Sequence, residues 1–217
     1  MPTLHVAELL VPGDRRPSVP HGAVLVDGLT VAAVGPYEQL AAAHPTARIR
    51  RWPGLLTPGL LNPHGPELLE QAYHPDPREA DELGTAPLVG KALAALPMTD
   101  ARWGASARRG VQRMLAHGTV AVAGELRRAA VVAAVRRAGL SVTFPRAAPG
   151  TPSDGSPTLD PLAGRRPSEA MVTPFPGEGT TATFAVFDVA DEAALGERGA
   201  VTCVATVVAG RLVYRRR

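Results

Sequence analysis

Strand patterns stand at both ends of this chain, and a helix–strand alternation lies between them. Residues 4–11 form an apolar run. Residues 21–26 and 29–35 flank Asp27-Gly28, and an Asp-Gly pair supplies the positive φ that a tight hairpin turn needs. Residues 36–43 are short and Ala-rich, with Pro36 suited to a first helical turn. Residues 48–52 read as a further strand, stopped by Pro53-Gly54. At the other end, residues 182–189 and 201–214 read as strands, with Ala209-Gly210 as a turn. Ends of this kind predict one β-domain built from both termini, with an α/β part inserted between them.

The middle is legible in places. Residues 55–62 are apolar but carry Pro58-Gly59, which limits them to a short strand. Residues 64–97 are poorly periodic and hold several prolines and the acidic cluster Glu79, Asp81 and Glu82. They predict a long loop with one or two helical turns. Thr99 or Asp100 is expected to cap a helix reaching residue 116, with Trp103, Ala107, Val111, Met114 and Leu115 on one face. A strand over 119–123, a helix over 126–138 ended by Gly139, and a strand over 140–144 follow. That is the βα pattern of a parallel sheet. Residues 145–180, rich in Pro, Gly, Ser and Thr, read as a linker. The expected division is a composite β-domain from 1–57 and 180–217, an α/β part over 58–144, and a linker over 145–179.

Composition excludes several classes. Hydrophobic residues make up 45% of the 217, enough for a real core. A lone cysteine, Cys203, excludes an intramolecular disulfide framework and a Cys-based zinc site. No apolar run reaches the length of a membrane span, and residues 1–10 lack the pattern of a signal peptide. The expectation is a cytoplasmic protein with no membrane partner. Net charge is +3, and Lys91 is the one lysine. This preference for arginine reflects GC-rich coding rather than nucleic-acid binding. The pairs Arg108-Arg109, Arg127-Arg128 and Arg136-Arg137 lie on polar helix faces, without interleaved aromatics, so no nucleic-acid partner is expected. Residues 84–91 fail as a phosphate loop, because Ala92 stands where a Ser or Thr would bind magnesium.

One set of motifs carries a family resemblance. Val24-Leu25-Val26-Asp27-Gly28, Val31-Ala32-Ala33-Val34-Gly35 and Leu56-Thr57-Pro58-Gly59-Leu60-Leu61-Asn62-Pro63-His64 resemble the opening of the amidohydrolase superfamily. Ala182-Thr183-Phe184-Ala185-Val186-Phe187-Asp188 and the hairpin over 204–214 resemble its close. The flavour is similar to imidazolonepropionase and aminodeoxyfutalosine deaminase, whose two chain ends form one composite β-domain. The resemblance implies a mixed α/β fold with an incomplete (β/α) barrel remnant over 58–144. A full barrel of this kind takes roughly 250 residues.

The same resemblance implies a divalent metal, zinc or iron, that lowers the pKa of a bound water. His64 keeps the first of the family's paired metal-binding histidines, but Pro66 holds the second place, and no histidine follows His117. The segment from Gly150 to Gly155 resembles the family's Gly-Thr-Asp strand, which makes Asp154 the candidate catalytic acid–base. His74, His117, Glu67 and Glu70 are the remaining donors; a blander role fits His117, bonded to carbonyls at a helix end. Glu125 reads either as a functional group at a strand's carboxyl end or as an acidic residue favouring the next helix.

Two functions follow from the resemblance. In one, the chain is a degenerate relative with no cofactor, a binding or regulatory subunit; the missing donors and strands favour it. In the other, it is a metal-dependent hydrolase or deaminase of non-peptide C–N bonds in a small cyclic or purine-like substrate. The second implies a link to menaquinone synthesis by the futalosine route. A remnant sheet with open edges also predicts a homodimer or a partner protein over it, and leaves room for a small-molecule ligand.

Overall fold

The computed structural model describes residues 1–13, 16–144, 157–172, 175 and 177–216. The amino-terminal part runs β1 (Thr3–Val6), β2 (Leu9–Leu10), β3 (Val19–Pro20), β4 (Gly22–Asp27), β5 (Thr30–Pro36), α1 (Tyr37–Ala43), β6 (Arg48–Arg51), β7 (Leu55–Pro58) and β8 (Leu60–Asn62). The middle holds α2 (Gly65–Leu69), β9 (Ala72–Tyr73), a 3-10 turn (Pro77–Glu79), α3 (Ala80–Leu83), β10 (Leu88–Val89), α4 (Gly90–Ala94), α5 (Asp100–Leu115), β11 (Thr119–Ala123), α6 (Ala129–Ala138) and β12 (Ser141–Thr143). The closing part holds α7 (Pro167–Ala170), β13 (Phe184–Phe187), α8 (Glu192–Arg198), β14 (Cys203–Val208) and β15 (Arg211–Arg215).

The two ends do meet. A six-stranded sheet has the order β15-β14-β13-β7-β2-β3, so the carboxyl-terminal β13 pairs antiparallel with the amino-terminal β7, Phe184 opposite Pro58 and Phe187 opposite Leu55. A four-stranded sheet, β5-β4-β1-β6, faces it. Side chains alternate across each strand, as the two-residue period requires. Val24 and Val26 of β4 share a core with Leu56, Phe184 and Val186. Ala23 and Leu25 turn the other way, under Tyr37, Leu40 and Ala41 of and beside α1. Asp27-Gly28 makes the predicted hairpin turn, with Gly28 at φ +57°.

The parallel part is small. β8, β11 and β12 form a three-stranded sheet in the order β12-β11-β8, with both pairings parallel. Leu68 and Leu69 of α2, Ala107, Val111 and Met114 of α5, and Val131 and Val135 of α6 pack with Val120 and Val122 of β11. A two-stranded ribbon, β10-β9, lies apart from it. The fold is mixed α/β, and among the described residues no sheet closes into a barrel. Among them, too, no helix is long and apolar enough to cross a membrane.

Three stretches differ from the sequence expectation. Residues 64–97 hold two strands, three short helices and a 3-10 turn rather than one loop. Their elements run to five residues at most, too short for a periodic signal. The helix expected from 126 starts at Ala129. The Pro-rich stretch over 157–172 carries α7 and buries Leu162, Ala170 and Met171 beside Leu60, Phe187 and Leu195. Helix α8, capped by the Asp191 carboxylate on the Ala194 amide at 2.9 Å, had no counterpart in the sequence reading.

His5 sits between the two β-sheets. Its Nδ1 accepts from the indole N–H of Trp52 at 3.1 Å, and its ring meets Phe184 edge-on with centroids 5.0 Å apart. Burial, then the nearby Arg50 charge, pushes its pKa down from 6.5 to about 4. The unfolded chain therefore binds a proton between these values that the folded chain refuses. Stability is full above the unfolded value and falls with pH through that window, by about 3 kcal/mol between pH 7 and pH 4 from His5 alone. Urea titrations of wild type and His5→Asn across this range check it. The variant should start less stable but lose less on acidification; an unchanged pH slope sinks the assignment.

Candidate functional site

Barrel-type α/β sheets place their chemistry at the carboxyl ends of the parallel strands. Here that end is formed by Asn62 on β8, Ala123 on β11 and Thr143 on β12, together with the residues that follow each. The run Leu60-Leu61-Asn62 reaches this end directly after β7, with Gly59 between the two strands. A Cβ at Gly59 would collide with the Val120 side chain.

Asn62 is fully buried and holds three segments together. Its amide donates to the carbonyls of Thr158 at 2.9 Å and Leu159 at 3.4 Å. Its Oδ1 accepts from the His64 backbone N–H at 2.9 Å. His64 lies half-buried at the start of α2, and its carbonyl takes the Leu68 amide. The structure thus places the metal candidate His64 at the carboxyl end of the parallel sheet. The candidate catalytic Asp154 lies outside the described residues.

Pro66 fills its place physically as well as in sequence. Gly124 follows β11 at φ +108°, and a Cβ there would lie 2.6 Å from Pro66 Cδ and 2.7 Å from Cγ. The proline ring is seated on the exit of β11, where a longer side chain at residue 66 could not occupy the same space. Gly65 is equally close: a Cβ there would stand 2.6 Å from the Ala123 carbonyl oxygen. Glu67 follows on α2, with Oε2 buried and without a hydrogen-bond partner.

Most of the other expected donors are engaged elsewhere, although His74 Nδ1 is buried without a partner among the described residues. Glu70 Oε1 accepts the backbone N–H groups of Arg127 at 2.8 Å and Arg128 at 2.6 Å, just before α6. The acidic group serving that entry is therefore Glu70, 57 residues away in sequence, and Glu125 instead pairs at 2.9 Å with the exposed Arg127. His117 Nδ1 meets the Arg113 carbonyl at 2.9 Å, the helix-end role expected of it. His74 is wholly buried, with Nε2 on the Leu68 carbonyl at 2.8 Å and its amide donating to Ser106 Oγ at 2.9 Å. Burial, with Arg113 and Arg109 nearby, lowers its pKa and keeps it neutral, although the Leu68 bond opposes this. Cys203 is buried, its thiol pushed up to about 11 by burial, so it offers no thiolate.

Among the described residues no three of His, Cys, Asp and Glu stand together as a metal-holding group. Zinc sites of the hydrolytic kind take three protein ligands. The described donors do not fit such a centre, since Pro66, two residues on from His64, carries no donor atom.

Comparison with known families agrees with the topology. Residues 22–47 match the imidazolonepropionase-like composite domain of bacteria. That match spans β4, β5 and α1, the hairpin and helix that open the composite β-domain. No curated protein matches the sequence. Among solved structures the fold is similar to A. niger ochratoxinase, at 21% identity and a TM-score of 0.44 over 66% of this chain and 31% of that one. It is similar to Helicobacter pylori aminofutalosine deaminase, at 13% identity and a TM-score of 0.43 over 66% and 33%. It is similar to E. coli guanine deaminase, at 16% and 0.44 over 66% and 35%. The chain spans about a third of the length of each.

Two substitutions test the geometry of this end. Asn62→Ala removes donors from the 158–159 carbonyls and an acceptor from His64, and should cost about 2 kcal/mol in denaturant unfolding. Gly124→Ala should cost a similar amount, about 2 kcal/mol, from the positive φ and the Pro66 ring together. Adding Pro66→Ala to Gly124→Ala should recover part of that loss; strictly additive effects in the double-mutant cycle would show that the two residues do not touch.

Proposed function

We propose that this chain is a catalytically degenerate protein of the amidohydrolase type, acting as a binding or regulatory subunit in the cytoplasm. One observation carries the reading: the place of the second metal-binding histidine is taken by a proline ring packed on Gly124. Proline has no side-chain donor, and His64 alone cannot activate a water in the way three ligands and an open position do. The neighbouring polar groups support the same reading, because Asn62 and Glu70 hold backbone rather than point into an open site.

A subunit role needs a surface for its partner. Among the described residues β12 ends the three-stranded sheet, and Val142 and Phe144 are 38% and 72% exposed there. The proposal includes a second copy of the chain over this edge, since an open edge strand with apolar side chains is normally covered.

Elemental mass spectrometry of untagged protein, purified without chelator, tests the chemistry. The expected result is well under one zinc, iron or manganese per chain, with no tight binding on adding ions back. About one ion per chain would overturn the reading. It would favour instead a metal-dependent hydrolase or deaminase acting on non-peptide C–N bonds of a small cyclic or purine-like substrate. Light scattering coupled to size exclusion tests the surface: a dimer is expected that Phe144→Asp dissociates, and a wild-type monomer removes the second copy.

A further inference from the structure

The outer face of α5 carries a groove unconnected with His64. Pro75, Asp76 and Pro77 form one wall, and Ala105, Arg108, Arg109, Gln112 and Arg113 the other, around a cavity of about 520 Å³. Residues 105, 108, 109 and 112 recur at helical spacing, so one face of α5 presents its side chains together. Three guanidinium groups meet one carboxylate there, a net charge of +2.

Two of the arginines are held in place by the protein. Arg109 donates through Nε to the His74 carbonyl at 2.7 Å and through Nη1 to Asp76 at 3.2 Å, while its guanidinium stands 5.6 Å from the Tyr73 ring centre. Behind it, Tyr73 donates to Glu79 at 2.5 Å, and Arg102 donates to that same carboxylate at 2.8 Å. This network anchors the 73–79 wall to the helix. Arg113 donates to the Thr85 carbonyl at 2.7 Å but pairs with no carboxylate among the described residues. Burial and the Arg109 charge lower its pKa, as an uncompensated positive site should. Arg108 is exposed, and its side chain makes no hydrogen bond or ion pair among the described residues.

We propose that this groove binds a small organic phosphate monoester. The excess of two positive charges matches a phosphate dianion, and guanidinium groups recognise phosphate by paired donors. Pro75, Pro77 and Ala105 supply an apolar wall for the ester's body. The carbonyl bond of Arg113 pre-orients its fork, which lowers the ordering cost of binding, while Arg109 is held by His74, Asp76 and Tyr73 and contributes its charge. The proposal is independent of whether the His64 end binds metal.

Titration calorimetry with phenyl phosphate at pH 7.5 and low salt tests it on the intact chain, with benzoate as a singly charged analogue and a short single-stranded oligonucleotide as a polyanion. Phenyl phosphate should bind saturably at one site. Its affinity should fall at least about tenfold in Arg108→Gln and further in Arg108→Gln/Arg113→Gln. Benzoate should bind at least about tenfold more weakly than phenyl phosphate in wild type. Arg108→Gln removes no hydrogen bond of the described fold, so its melting temperature should match wild type; if the double variant fails to fold, the single one still decides. Equal affinity in wild type and Arg108→Gln overturns the proposal, as does the absence of saturable binding. Benzoate binding as tightly as phenyl phosphate overturns the dianion assignment. Tighter binding of the oligonucleotide would make the face a general polyanion surface and overturn it too.

Discussion

The antiparallel pairing of β7 with β13 is what the rest of the molecule hangs on. These two central strands come from opposite ends of the chain, and all eight of their residues are buried. The two faces of β13 serve different cores: Phe184 and Val186 lie between the β-sheets, Ala185 and Phe187 under α7 and α8. Joining them closes a loop of well over a hundred residues. The closure entropy rises only with the logarithm of that length, so two apolar strands buried on both faces can offset it. Most of the chain between residues 58 and 175 is an excursion from this sheet, and Phe175 and Ala182 return to its core before β13.

The excursion begins within a single apolar run. Leu55–Pro58 pairs with β13, and Leu60–Asn62 pairs with β11 in another sheet. Pro58 has no N–H to continue the ladder, and Gly59 allows the close approach to Val120. The switch places β8 so that Leu60 packs into the core under the six-stranded sheet, while Asn62 lies at the exit of the parallel one. The two parts of the molecule also meet through β14, where Val208 packs into the core of α5, α6 and β11 and Thr206 donates to the Leu115 carbonyl at 2.7 Å.

What could be read in the sequence follows from length and period. The β4–β5 hairpin, α5 with its Trp103–Val111 face, β11 and the terminal β14–β15 hairpin each carry a full period of alternating or helical pattern, or a turn pair such as Asp27-Gly28. The elements between 65 and 94 are too short to show one. Leu162, Met171 and Phe175 hide in a stretch whose Pro and Ser content reads as linker, because isolated apolar residues have no period at all. At the candidate site the positions of Asn62, His64 and Pro66 were visible as a motif. Their partners were not: the 158–159 carbonyls and Gly124 are brought in by tertiary packing, which no local pattern records. Likewise nothing near Arg127 points to Glu70 as the acceptor of its amide.

The polar groups at the exit end of the parallel sheet mostly serve structure. A hydrolytic metal centre needs several donors that converge on one point and are otherwise unsatisfied, so that the ion is their best partner. Here Asn62 and Glu70 hold backbone groups instead, while Glu67 Oε2 is buried without a partner. Asn62 joins β8 to the 158–159 backbone, Glu70 receives the chain entering α6, and Pro66 plugs the space over Gly124. A histidine at residue 66 would lose the proline ring's contact with Gly124. On α5, Arg108, Arg109 and Arg113 stand over a groove with a single carboxylate. Among the described residues, positive charge thus gathers on that helix face, while the polar groups at the sheet's exit mainly tie backbone segments together.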